Sequence, residues 1–252
     1  MSAKEAVTTL VWGSPNHARF RQRDQVLVRL AEQLLQDQGL VSFRFSELAP
    51  LAGCSAGTLY KHFASKEDLL IAILARHLER LVECQPHLMT CELSFVERWI
   101  AMHLLAVAAS RQCCWSLSLN SIGSSPKLVE RASEYRIQEL KMHLEQFYHA
   151  ILRVVESARI QGELSATDQQ VANAHAMMVF IERGAIDSID NPLMENALEA
   201  LDMRQLFEVF ALYLSVLDWR TPLRPDSYER VMAEVEHQLQ ECQQQQQLLS
   251  VL

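Results

Sequence analysis

Apolar positions recur at three- and four-residue spacing along most of the chain, the period of helices that bury one face. Leu27, Leu30, Ala31, Leu34 and Leu35 form one stripe that closes at Gly39, which predicts an amphipathic first helix over 22–38. Two short helices should follow. Ser46 can cap one that carries Leu48, Ala49 and Leu51, and Ser55 can cap another from about Ala56 to Phe63. Gly53 stands between them, where the turn favours a residue without Cβ. Ser65-Lys66-Glu67-Asp68 reads as a capping box opening a helix through Leu69, Leu70, Ile73, Leu74, Leu78 and Leu81 to about Cys84, short of Pro86.

The remainder reads the same way. Ser94 predicts a helix to Arg111 through Phe95, Trp99, Met102, His103, Leu105 and Ala106. Residues 112–125 are irregular, and Ser125-Pro126 opens a long pattern through Leu140, Leu144, Phe147, Ile151, Leu152 and Val155 to Gly162. Thr167 caps a helix carrying Val171, Ala174, Met177, Met178, Phe180 and Ile181. Residues 204–218 are apolar on nearly every side, so that helix must be covered all round, which a subunit interface achieves. An extra amphipathic helix begins at Ser227 and runs into a glutamine tract expected to fray. No run of alternating β-branched residues demands a sheet. The expected fold is all-α, divided into a flexible tail (1–18), a helix-turn-helix head (19–66), a larger helical domain (67–225) and a C-terminal helix with a Gln-rich tail (226–252).

The 252 residues are 49% hydrophobic with seven Gly and seven Pro, enough for one or two helical cores. A net charge of −8 argues against a nucleic-acid partner until its distribution is considered. Residues 1–80 hold ten Lys and Arg against eight Asp and Glu, so the negative charge lies in the rest. Arg19, Arg21 and Arg23 cluster just before the predicted first helix, either as groups for phosphates or the minor groove or as a solvated arm. Six cysteines without CxxC spacing, no leader sequence and no membrane-length apolar run predict a reduced, cytoplasmic chain. The nine histidines show no paired metal spacing, and no metal or cofactor is expected. Without a Gly-rich phosphate loop, a His-Glu-x-x-His motif or a nucleophile elbow, no enzyme is expected either.

The chemistry concentrates in 45–74. Leu59 and Phe63 lie four apart on the core side of their helix, while Ala56, Gly57, Thr58, Tyr60, Lys61 and His62 occupy the rest. Small residues let the backbone approach base edges. Hydroxyls, imidazole and ammonium donate to phosphate oxygens, the division of labour of a helix-turn-helix on double-stranded DNA.

Leu48-Ala49, Ala52-Gly53-Cys54-Ser55, Gly57-Thr58-Leu59-Tyr60-Lys61-His62-Phe63 and Ser65-Lys66-Glu67-Asp68-Leu69-Leu70 together resemble the TetR family of bacterial transcriptional regulators. The resemblance covers about residues 20–75. It implies a homodimer, an N-terminal DNA-binding domain, and a C-terminal domain for dimerisation and ligand sensing, with the helix after Ser65 changing tilt on ligand binding. It implies Tyr60 and His62 on the DNA backbone, Lys66 on a phosphate, and Ala56, Gly57, Thr58 and Lys61 facing the groove. Arg44, Ser46 and Ser55 complete the expected DNA-contacting set. Three positions depart from the family pattern: Cys54 replaces a branched aliphatic, Pro50 interrupts the second helix, and Phe43-Arg44-Phe45 is bulky ahead of it.

Trp99, Met102, His103, Trp115, Phe147, Met177, Met178 and Phe180 are candidates to line a ligand cavity, with His103 or Glu182 as polar anchor. Leu206, Phe210, Tyr213, Leu214 and Leu217 are the candidate dimer interface. The expected partners are a palindromic operator, a second copy of the chain and an apolar or amphipathic small-molecule effector, with no membrane. The expected function is that of a ligand-controlled repressor. The alternative is a nucleoid-associated or cell-division accessory protein that binds DNA and a protein partner, with the extra C-terminal helix and the acidic C-terminal domain as partner surface.

Overall fold

The structure is a computed structural model that describes residues 15–112, 119, 123, 125–189, 191 and 202–251, without the side chains of 15–18 and 245–251. Among these, the elements are α1 (Pro15–Ser42), a 3₁₀ turn (Phe45–Glu47), α2 (Leu48–Leu51), α3 (Ala56–His62), α4 (Lys66–Thr90), α5 (Phe95–Arg111), α6 (Pro126–Arg131), α7 (Glu134–Ile160), α8 (Asp168–Ser188), α9 (Met203–Leu214) and α10 (Ser227–Val251). The all-α expectation holds. Two two-residue strands, Leu164–Ser165 (β1) and Asp218–Trp219 (β2), pair antiparallel and tie the α7–α8 turn to the segment after α9.

Two cores form. The head core gathers Leu27, Val28, Ala31 and Leu35 of α1, Leu48 and Ala49 of α2, Leu59 of α3 with Phe63 just beyond it, and Leu69, Leu70 and Ile73 of α4. It also takes Leu128 of α6 and Ile137 of α7, so the head closes against elements far away in sequence. The second core is built around α5, where Trp99, Ile100, Met102, Leu104 and Leu105 are fully buried, and joins α7 to α10. α4 runs through both.

Several boundaries differ from the periodic reading. α1 begins at Pro15, so the last residues assigned to the tail are helical, and Arg19, Arg21 and Arg23 are exposed positions on α1 rather than a separate arm. Gly39 breaks α1 as expected (φ 72°), and Leu40 to Ser42 resume the helix. α4 passes through Pro86 to Thr90. An interior proline costs about 3 kcal/mol, which the burial of Cys84, Leu88 and Cys91 around it offsets. The long pattern after Pro126 is two helices, because Ser133 turns its amide (2.9 Å) and hydroxyl (2.7 Å) to the Asp68 carboxylate. Ser65 caps α4 by accepting from the Asp68 amide (3.0 Å), but Asp68 accepts from the Ala64 amide instead of closing the box on Ser65. The glutamine tract continues α10 as helix.

Ser94 with Glu97, and Thr167 with Gln170, form complete capping boxes. Glu97 does more than cap. Its carboxylate is 1% exposed and accepts from the Ser227 hydroxyl at 2.6 Å, anchoring the start of α10 on the start of α5. Val231, Val235 and Leu239 then bury the apolar stripe of α10 in the chain's own core, leaving that stripe unavailable to a partner. Cys84 and Cys242 are disulfide-bonded (Cα–Cα 6.6 Å), joining α4 to α10. The expectation of uniformly reduced thiols therefore fails for this pair, which a separation of 158 residues hid in the sequence.

Candidate nucleic-acid interface and buried polar core

The turn before α3 is set by Gly53 (φ 59°), with the Cys54 amide donating to the Ala49 carbonyl at 3.0 Å. Ser55 caps α3, its hydroxyl accepting from the Thr58 amide at 3.1 Å and lying 3.0 Å from the Thr58 hydroxyl. Leu59 and Phe63 anchor the inner side. Ala56, Gly57, Tyr60 and Lys61 are exposed, Thr58 is half-buried, and Arg44, Ser46 and Ser55 are exposed beside them. A Cβ added at Gly57 would meet only the Ser55 hydroxyl at 3.8 Å, so packing within the chain does not demand glycine there. Tyr60 stands 58% exposed, with its ring held edge-on to Phe45 at 5.4 Å.

Three expected donors are placed otherwise. Ser46 lies inside the Phe45–Glu47 turn and caps nothing, since that turn leads directly into a four-residue α2. Lys66 is half-buried, its Nζ donating to the Phe43 carbonyl at 2.7 Å and lying 5.1 Å from the Phe43 ring centre. The bulky Phe43 thus supplies the seat for this lysine. His62 is 9% exposed: its Nδ1 lies 3.2 Å from Asp24 Oδ1, and its ring stacks on Phe20 at 4.1 Å. The imidazole faces α1 instead of the open side of α3.

His62 opens a network that residue types alone did not reveal. Asp24 of α1 also accepts from Arg136 of α7, and Arg136 donates to Glu139 at 2.9 Å. The guanidinium covers the Phe63 ring at 4.9 Å, and Arg136 as a whole is 5% exposed. Burial works to lower the Arg136 pKa, but the adjoining Asp24 and Glu139 carboxylates outweigh it and raise it. Beside this network, the Ser65 hydroxyl donates to the Arg131 carbonyl at 3.2 Å, and Arg131 pairs with Glu67 at 2.9 Å. The foot of α3 and the start of α4 are therefore joined to α6 and α7 by charged and hydrogen-bonded groups. Only the 112-residue separation of Asp24 and Arg136 concealed them.

In the second core, His103 (0% exposed) and Glu182 (2%) are not separate anchors but a pair, Nδ1 to Oε2 at 2.5 Å. Tyr148 donates to the other Glu182 oxygen at 3.0 Å, and the His175 ring stands 5.7 Å from that of Tyr148. Among the described residues, His103 Nε2 and His175 Nδ1 are buried without a hydrogen-bond partner. Burial, with His103 beside it, pushes His175 down to about 4. Burial and the Glu182 carboxylate push the Tyr148 phenol up.

The other expected pocket residues divide. Trp99, Met102, Phe147 and Met178 are packed core, whereas Met177 (38% exposed) and Phe180 (68%) lie on the outer side of α8. Trp115 lies outside the described residues. None of the expected set lines either of two clefts beside α4. One, of about 500 Å³, is bordered by Asp24, Arg76, Glu79, Arg136, Met142 and His143; the other, of about 720 Å³, by Val82, Gln85, Pro86, Met89, His149 and Arg153. The expected interface residues Leu206, Phe210, Leu214 and Leu217 are buried in the chain's own core and Tyr213 is half-buried against it. The exposed apolar side chains are Val209, Leu212 and Val216. A helix apolar all round thus buries one side internally and leaves the other open.

The model of bacterial regulatory proteins, tetR family, matches residues 27–73, the span from α1 into α4 that builds this head. The HTH-type transcriptional activator FasR of Mycolicibacterium smegmatis is 39% identical over 64 residues, 25% of this chain and 29% of that protein. Two solved structures extend the likeness of fold beyond the head. RolR in complex with resorcinol is 17% identical, with a TM-score of 0.56 over 85% of this chain and 95% of the other. FadR from Bacillus subtilis in complex with stearoyl-CoA is 16% identical, with a TM-score of 0.50 over 75% and 95%. Residues 27–73 are thus similar to the DNA-binding head of the TetR family. The sequence likeness to FasR spans less than a third of FasR's length. No helix among the described residues is long and apolar enough to cross a membrane.

Proposed function

We propose that this chain is a homodimeric repressor of the TetR family that binds a palindromic operator and leaves it when a small apolar or amphipathic molecule enters the C-terminal domain. The observation that carries the reading is α3: a capped helix, anchored by Leu59 and Phe63, with Ala56, Gly57, Tyr60 and Lys61 exposed. Ala56 and Gly57 at its N-terminus suit close approach to base edges, and Tyr60, Lys61 and Arg44 suit phosphates.

A two-fold dimer supplies two such helices for successive major grooves. The exposed Met177 and Phe180 of α8, with Val209 and Leu212 of α9 and Val216 just after it, support a second copy covering these helices. The unpartnered nitrogens of His103 and His175 suit the polar group of an otherwise apolar effector. The complexes of RolR with resorcinol and of FadR with stearoyl-CoA lend support to effector binding within this fold. The Asp24–Arg136 and Asp68–Ser133 contacts give the C-terminal helices a direct hold on the head.

The test is binding of the full chain to DNA just upstream of its own gene, titrated with salt and unlabelled competitor. Tight, competitor-resistant binding is expected, with lower transcription from that promoter when the protein is present. Binding that competitor removes at equal concentration would overturn operator recognition there. Higher transcription would favour activation, the sense named for FasR.

A further inference from the structure

Two imidazoles and a carboxylate meet where α10 crosses the C-terminal part of α4. His87 Nε2 lies 2.6 Å from Glu234 Oε2, and the His87 and His237 rings are 5.7 Å apart. One donor atom from each of the three residues lies within 4.8 Å of the others. Glu234 and His237 are three apart on α10 and so share a face. The seam beneath them is fixed independently by the buried Val231, Val235 and Leu239, by the Ser227–Glu97 anchor and by the Cys84–Cys242 bond.

We propose that His87, Glu234 and His237 form a binding site for a divalent transition-metal ion of the zinc class, clamping α10 to α4. A hydrogen-bonded His87–Glu234 pair accounts for two of the three residues, while the His237 imidazole stands 3.7 Å from Glu241, beyond hydrogen-bond distance of that partner. Two imidazoles that face each other repel when both are protonated, but a shared cation takes a lone pair from each. Two nitrogens and one carboxylate suit zinc, cobalt or nickel, whereas calcium and magnesium require shells of oxygen. Zinc bonds of about 2.0–2.1 Å set tetrahedral donors roughly 3.3 Å apart. Reaching that spacing opens the 2.6 Å His87–Glu234 contact and draws in His237, whose side chain is 56% exposed. Glu241, whose Oε1 lies 3.7 Å from His237 Nε2, or a water would supply the fourth donor. Sequence spacing gave no hint, because His87 and Glu234 are 147 residues apart.

The experiment is calorimetric titration of Zn²⁺ into the chelator-stripped full chain, without and with reductant, for the wild type and for His87→Gln, Glu234→Gln and His237→Gln. One ion per chain is expected in either redox state, with affinity at least tenfold lower in each variant, and zinc should raise the melting temperature of the wild type only. His237→Gln guards against misfolding as an explanation, because its exposed side chain can be lost with the zinc-free melting temperature unchanged. No saturable single-site binding, or equal affinity in wild type and His237→Gln, would overturn the site. Binding confined to reduced protein and abolished by Cys84→Ser would overturn it too, placing the ion on thiolates.

Discussion

Arg136→Met isolates the contact between the head and the C-terminal helices. Methionine keeps much of the apolar stem of Arg136 and removes the guanidinium, with its bonds to Asp24 and Glu139 and its cover over Phe63. Removing one member of a buried ion pair costs about 3–5 kcal/mol, because the other charge is stranded. Asp24 is not wholly stranded: its side chain is 15% exposed and keeps His62 Nδ1 at 3.2 Å. The expected loss is therefore lower, about 2–3 kcal/mol, or roughly 5–10 °C in melting temperature for a chain of this size. Urea unfolding of wild type, Arg136→Met, Asp24→Asn and the double variant measures it. The double variant should lose at least about 1 kcal/mol less than the sum of the singles, since neither charge is then left alone. Losses that add to within about 0.5 kcal/mol would refute the coupling.

Four further outcomes follow from the same geometry. Tyr60→Ala should weaken binding to all DNA sequences about equally and leave its salt dependence unchanged, because a neutral phenol contacts phosphate without displacing a counterion; a loss confined to some sequences would remove Tyr60 from that role. Leu212→Glu, at a position 74% exposed in the single chain, should give folded monomers by light scattering, and a persistent dimer would place the interface elsewhere. His77, pushed to about 4 by burial and by nearby Arg80, is neutral when folded and protonates at the ordinary imidazole value when unfolded. Its contribution is present above about pH 6.5 and falls away toward pH 4, so His77→Gln should flatten that slope by up to one proton's worth, about 1.4 kcal/mol per pH unit; identical slopes would count against it. Tyr148→Phe removes a donor to Glu182 and should alter the effector concentration that releases DNA while leaving effector-free DNA binding intact; an unaltered release curve would place the effector elsewhere.

Local signals were legible where one segment settles its own structure. The caps at Ser55, Ser94 and Thr167, the turn at Gly53 and the inward side of α3 all follow from residues within a few positions of one another. What was not legible depends on distant partners. Asp68 divides its carboxylate between Ser133 and the Ala64 amide instead of closing the box on Ser65, Pro86 is carried through by packing, and His62 is claimed by Asp24. The apolar stretch of 204–218 foretold complete burial, yet sequence alone could not divide it into Leu206, Phe210 and Leu214 inside and Leu212 and Val216 outside.

The head's core is completed by Leu128 and Ile137, more than fifty residues beyond the last of its own helix-turn-helix side chains. A fragment ending near residue 66 would expose apolar surface that these side chains cover. Grafting this head onto a different regulator would meet the same obstacle unless α6 and the first turns of α7 travelled with it. Changes of operator preference are therefore more accessible by substitution on the open side of α3 than by exchange of whole segments, since Ala56, Gly57 and Lys61 can vary without disturbing the joint beneath them.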